Sequence, residues 1–308
     1  MRVLAIAAAV LALIVVVVGA YVRLSDAGLG CPDWPFCYGK PVPADIAHSD
    51  ALAKAWKEMG HRYLASTLGV LILALCFLAW RQQRARGLTT ALVLVVVFQG
   101  ALGMWTVTLL LKPAIVTAHL IGGLTTLSLL LWLALGESSF APDARVRQLQ
   151  PVAAFTLAVV AIQVVLGGWV SANYAALACP DLPLCRGSLV PSMDFANAFH
   201  VLRELGQTPD GALLSNEALT AIHWTHRMFA LVALAMVFGL AARSWPVLPR
   251  LSLALALIVL TQFVLGVSNV FFSLPLPLAA AHNAGAALLI VTLVVINFFS
   301  FRGLRPSR

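Results

Sequence analysis

Apolar residues in this chain come in long unbroken runs, not in the alternation of half-buried strands. Such runs occupy 3–22, 61–80, 90–111, 114–135, 151–171, 222–242, 250–271 and 276–299. About 20 residues at helical rise cross the hydrocarbon layer of a bilayer. The pattern predicts eight transmembrane helices and an all-α integral membrane protein. Composition agrees, with 61% hydrophobic and 10% charged residues, where a soluble domain carries roughly 25% charged residues. The first run, behind Arg2, has the outline of a signal peptide. Its counterpart at 151–171 lies mid-chain and must be retained, so the first run is read as a retained helix.

The polar interruptions between these runs repeat. CPDWPFC at 31–37 returns as CPDLPLC at 179–185, and His61-Arg62 returns as His226-Arg227. Gln99 and Gly103 return as Gln262 and Gly266, and His119 returns as His282. The offset is 148 through the cysteines and 163 to 165 afterwards. One insertion of about 15–17 residues in the second outer loop accounts for the change, and ordered marks of this kind indicate a tandem duplication. The chain divides into two four-helix bundles, residues 1–140 and 141–308.

Charge then sets an orientation. Arg2, Arg81, Arg84, Arg86, Arg145, Arg147, Arg243, Arg250, Arg302, Arg305 and Arg308 fall on one side, accompanied by Glu137 and Asp143. Short basic loops are cytoplasmic, so both termini are expected there. Asp26, Asp33, Asp45, Glu58, Asp181 and Glu204 lie on the other side. The net charge of +8 is therefore a topology signal, and no aromatic-basic surface suggests nucleic acid. Four of the five cysteines fall in the outer loops, on the oxidising side of a bacterial envelope. Cys31–Cys37 and Cys179–Cys185 can form disulfides there, as structural pins or as a thiol relay. Cys76 reads as an apolar filler within the second helix.

His61, His119, His226 and His282 fall in even-numbered helices, expected within roughly two turns of the outer ends. Imidazole in a membrane helix needs a polar interior or a ligand. Two imidazoles facing across a bundle suit the axial positions of a haem iron. A lone histidine at a helix end is more often an interfacial residue. Four at duplicated positions favour ligation. Arg62 and Arg227 are candidates to pair with haem propionates, or else they snorkel to headgroups. Glu58 and His223 occupy matching positions three residues before each HR pair. A carboxylate there could move protons or stabilise positive charge; alternatively it complements the helix dipole. Gly100, Gly103, Gly122, Gly123, Gly266 and Gly285 allow close helix approach.

The segment GAYVRLSDAGLGCPDWPFCYGK, EMGHR at 58–62, His119, CPDLPLC and the second HR and His together resemble the haem A synthase family, in its bacterial form with paired outer-loop cysteines. The resemblance spans essentially the whole chain. It implies two bundles related by a pseudo-twofold axis, and oxidation of the C8 methyl of haem O to the formyl of haem A. It implies haem O as substrate in the first half, between His61 and His119. It implies a haem b cofactor in the second half, with His226 and His282 on its iron. Glu58 matches the family's functional carboxylate, and Cys31 and Cys37 match its redox-active pair. The implied partners are haem O synthase as supplier, terminal cytochrome oxidase assembly as consumer, and membrane lipid, with a homo-oligomer left open. The implied place is the bacterial inner membrane. His223, His48 and His200 receive no role. A quinol-linked di-haem b-type electron-transfer cytochrome would share the four histidines without needing Glu58 or the cysteines. An envelope thiol-oxidising membrane protein would use the cysteines and leave the histidines incidental. A repeat-built transporter would place its polar residues at the midplane, not near the outer surface.

Overall fold

The structure is a computed structural model that describes residues 1–43 and 48–305. Asp45 and Arg308, both used above to orient the chain, lie outside the described residues. Eight helices among them are long and apolar enough to cross a membrane. In the first half these are α1 (Arg2–Leu24), α2 (Ser49–Arg81), α3 (Arg86–Thr108) and α4 (Pro113–Gly136). After β1 (Ala141–Pro142) and the short α5 (Ala144–Arg147) comes α6 (Gln150–Ala172). Then follow α7 (Phe195–Ala198), α8 (Asn216–Ser244), α9 (Pro249–Phe271), α10 (Leu276–Arg302) and β2 (Leu304–Arg305). The chain is thus a multi-pass, all-helical membrane protein, apart from β1 and β2, which pair antiparallel. That pairing sets the C-terminal end against the linker between the halves.

Local sequence places the helix ends. Proline stands in the first turn of α4, α6, α9 and α10, where its missing N–H has no partner to lose. The Ser215 hydroxyl accepts the Ala218 N–H and starts α8. Gly303, at φ 62°, ends α10 in the left-handed region that glycine enters without strain.

Two boundaries depart from the hydropathy reading. α2 starts at Ser49 and α8 at Asn216, not near 61 and 222. Their first turns mix polar with apolar residues, Asp50, Lys54, Lys57 and Glu58 among them in α2, so an apolar-run criterion misses them. Packing holds these turns instead. Gly30 of the first Cys loop lies so close to α2 that a Cβ there would stand 2.6 Å from the Lys54 carbonyl carbon.

Helix neighbours follow one pattern in both halves. α1 packs on α2 and α4 as α6 packs on α8 and α10, and α3 sits between α2 and α4 as α9 sits between α8 and α10. Across the centre α1 meets α10 and α4 meets α6. Arg23 donates through Nη2 to the Ser171 carbonyl at 2.9 Å, and the Tyr174 hydroxyl reaches Asp26 at 3.3 Å. Both pairs are separated by the repeat offset of 148. Equivalent residues that touch each other are what a twofold axis through that point would give. α10 is the most enclosed helix, with 61% of its apolar stretch buried against 17–33% for the other seven. Small residues Ala5, Ala8, Ala9 and Ala12 let α1 approach its neighbours closely.

Candidate functional site

Each CPDxPxC loop is a short clip closed by a disulfide, Cys31–Cys37 and Cys179–Cys185. The aspartate of each motif shapes it. Asp33 accepts the amides of Tyr38 and Gly39, and Asp181 those of Arg186 and Gly187. Those hydrogen bonds hold the Asp181 carboxyl below the usual carboxylate range, the Gly187 amide contributing most. The Trp34–Pro35 and Leu182–Pro183 peptides are both cis.

The HR pairs then split their work. Arg62 Nη1 donates to the carbonyls of Asp33 and Phe36 at 3.0 and 2.8 Å, and Nη2 to Glu58 Oε1 at 2.5 Å. Arg227 donates to the carbonyls of Asp181, Leu184 and Cys179. Both arginines, candidates from spacing for propionate pairing or for snorkelling to headgroups, donate to carbonyls of the Cys loop and to the residue four before them, Glu58 or His223. Glu58 is 5% exposed and its Oε2 accepts the Cys31 amide at 2.8 Å. His223 stands in the same place, 4% exposed, with Nδ1 3.2 Å from the Cys179 amide and Nε2 3.2 Å from Arg227 Nε. Glu58 lies in the third turn of α2, so the helix-dipole reading of this residue does not hold.

The four histidines point into the bundles. His119 and His282 lie within two turns of the N-terminal ends of α4 and α10. His61 and His226 lie about three turns inside α2 and α8, because those helices begin earlier. The His61 and His119 ring centres are 6.4 Å apart with planes at 84°. Two imidazoles bonding one metal at about 2 Å each hold their ring centres roughly 6 Å apart. Every imidazole lies against a glycine of a neighbouring helix. A Cβ at Gly19 would stand 2.8 Å from His61 Cε1, and one at Gly167 3.0 Å from His226 Cε1. At Gly103 and Gly266 the distance to Cε1 of His119 and His282 would be 3.4 Å. Any side chain at Gly19 or Gly167 would push the ring out of place.

A cavity of about 560 Å³ opens in the first half, lined by Glu58, His61, Arg62, Gln99, His119 and Trp34 among others. Nδ1 of His61, His119 and His282 is buried without a hydrogen-bond partner. No cluster of three or more His, Cys, Asp or Glu that could hold a metal ion occurs among the described residues. A metal held by two imidazoles alone needs its other ligands from elsewhere, and a porphyrin supplies four nitrogens. The glycine cradles, the paired imidazoles and the cavity of the first half fit a haem, and in the second half His226 and His282 lie against matching glycines.

Three glutamines around the site went unassigned in the sequence. Gln99 Nε2 donates to the His119 carbonyl at 2.9 Å and packs on Gly122, as Gln262 packs on Gly285. The repeated Gln and Gly spacing was the available signal. Gln163 has no such signal, because its counterpart is Val15. Its amide lies 3.1 Å from His226 Nδ1. The same amide nitrogen donates to the His226 carbonyl at 3.2 Å, so the Gln163 amide braces both the ring and the backbone of His226. In the inserted loop, Arg203 is 2% exposed and its Nη2 reaches Asn173 Oδ1 at 2.6 Å. Lys112 pairs with Glu204 at 2.6 Å, tying that loop to the first half. His48 is exposed at the start of α2, and His200 lies in the inserted loop with Nδ1 unpartnered. Cys76 is the one free cysteine among the described residues.

The fold and site define a class: a multi-pass, all-helical membrane protein in which paired imidazoles and a buried carboxylate line a cavity beside a disulfide-clipped loop. Within that class the chain belongs to the COX15-CtaA family of cytochrome oxidase assembly proteins, whose profile matches residues 2–294. It is 44% identical to a haem A synthase of Shewanella oneidensis, over 94% of this chain and 93% of that protein. It is 28% identical to a haem A synthase of Halalkalibacterium halodurans, over 92% and 91% of the two chains. A haem A synthase of Caulobacter vibrioides is 29% identical, over 94% and 92%.

Proposed function

We infer that this chain is a haem A synthase, an oxidoreductase that converts the C8 methyl of haem O to the formyl of haem A for terminal oxidase assembly. The observation that carries the reading is the His61–His119 pair, 6.4 Å apart and lining a cavity with a buried carboxylate. The first half holds substrate haem O between these imidazoles. The second half holds haem b between His226 and His282. Bound there, haem b supplies one-electron chemistry that no side chain provides.

The chain's own residues orient, protect and handle protons. The glycine cradles fix imidazole direction. Gln163 braces the His226 ring and its backbone carbonyl. Oxidising a methyl to a formyl removes protons as well as electrons and brings in one oxygen. Glu58 Oε1 and Oε2 are the acceptors beside the cavity that can take such a proton or stabilise positive charge developing on the substrate. Arg62 holds the carboxylate in place. Arg23 lines the same cavity with its Nε unpartnered, and it offers a donor to a propionate. Cys31 and Cys37 are both fully buried, so a redox role for that pair requires the loop to lift. The cysteine loops face the envelope, and both termini and the arginine loops face the cytoplasm of a bacterial inner membrane.

Co-expression with a haem O synthase, followed by haem extraction and chromatography, tests the function. A haem A peak is expected. A b-type spectrum with haem O unchanged would favour the di-haem electron-transfer cytochrome instead. Burial of both disulfides weighs against a thiol-oxidising protein.

A further inference from the structure

The cavity in the first half is not closed towards the bilayer. Beyond the imidazoles, its lining continues along α2 through Ser66, Gly69, Val70 and Leu73, and along α3 through Val97 and Gly100. Val70 is 65% exposed and Val97 66% exposed, so these residues belong to the cavity and to the lipid-facing surface at once. A Cβ at Gly69 or Gly100 would meet nothing within 4 Å. Neither glycine serves close helix packing. Both leave a gap between α2 and α3.

The repeat supplies the contrast. By the offsets that align His61 with His226 and Gln99 with Gln262, Ser66, Gly69 and Gly100 correspond to Leu231, Leu234 and Phe263. Leu234 packs against the buried core of the second half. Three small positions that border an opening in one half are three large apolar residues in the other. The cavity side of α2 from Ser66 to Leu73 descends from the imidazole level towards the membrane interior, over about 10 Å at helical rise. An apolar chain lying there would stay in hydrocarbon while a polar macrocycle edge stayed near the outer surface.

We propose that the gap between α2 and α3, bordered by Ser66, Gly69 and Gly100, is a lateral slot that takes the isoprenoid tail of the substrate directly from the lipid. The large residues of the second half exclude such a tail, which leaves that half to a haem without one. This rests on the haem A synthase reading and adds a tail subsite and an entry side to it.

The test transplants the second half's residues. Gly69→Leu with Gly100→Phe, in holoprotein carrying its second-half haem, is titrated with haem O and with tail-less protohaem. Haem O affinity is expected to fall at least about tenfold, from lost apolar burial, with protohaem affinity unchanged. An equal fall for both, or no fall for haem O, overturns the slot. A second measurement leaves the slot open. Val97→Cys in a Cys76→Ser background is reacted with a lipid-soluble maleimide. Haem O should shield this cysteine and protohaem should not; equal labelling with either overturns the proposal. A parent chain that binds no haem O at all would sink the functional reading instead.

Discussion

Three residues before the HR pair, the first half holds a carboxylate and the second an imidazole, and the surroundings differ in the same sense. Glu58 accepts two donors, the Cys31 amide and Arg62. His223 faces two donors as well, the Cys179 amide and Arg227, yet a neutral imidazole has one acceptor. Either side chain can pin its loop, but only Glu58 adds a negative charge beside a cavity. The second half answers with Gln163 on His226, where the first has the apolar Val15. It also answers with Leu234 and Phe263, where the first has glycines. On the proposed function, these differences would let one half keep what it binds and the other admit, change and release it. A duplicated frame can therefore carry two tasks when a few side chains around the shared imidazoles diverge.

The sharpest way to break this comparison is to remove the ligands. His226→Ala or His282→Ala is expected to abolish the resident b-type haem, read from the absorption spectrum and extracted haem of purified protein. His61→Ala or His119→Ala should leave that haem in place and stop conversion of haem O. Equal loss of resident haem from all four variants would erase the division of labour.

Glu58→Gln comes next. The amide keeps the shape and an acceptor for the loop but cannot hold charge or take a proton. Haem A formation should fall about 100-fold, the usual scale for a general acid or base, with unconverted haem O accumulating and the resident haem spectrum intact. Conversion at the parent rate would reduce Glu58 to a loop pin, equivalent in role to His223.

Gln163→Val makes the second half resemble the first at that position. Groups hydrogen-bonded to a metal-bound imidazole are worth roughly 10–100-fold in affinity. Resident haem should be lost faster to apomyoglobin by about tenfold, and its midpoint potential should move. Unchanged retention and potential would show that Gln163 merely fills space.

The smallest effect concerns the second loop. The Asp181 carboxyl is held low by the amides of Gly187 and Arg186, so its contribution is present above the ordinary carboxylate pKa and lost as pH falls through the depressed value. Reduction of Cys179–Cys185 by a phosphine should therefore be slow near neutrality and faster in that acid window. In Asp181→Asn this acid dependence should flatten. A pH profile identical in both proteins would remove Asp181 from the loop's support.

The membrane class, the eight spans and the two disulfide pairs were legible in the sequence, and the repeat pointed to the four imidazoles. Hydrophobic run length is a local property, and a repeat needs only self-comparison. Helix starts at Ser49 and Asn216 were not legible, because those turns are held by contacts with distant loops and not by their own hydropathy. Nor was the commitment of Arg62 and Arg227 to loop carbonyls, since a backbone acceptor leaves no mark in residue identity. Gln163 stayed hidden because it breaks the repeat that revealed everything else. The sequence by itself determined which side chains the membrane must shelter. Only the tertiary structure decided which of them share a cavity and where that cavity opens to the surface, because these depend on how separate helices pack and where glycines leave the packing open.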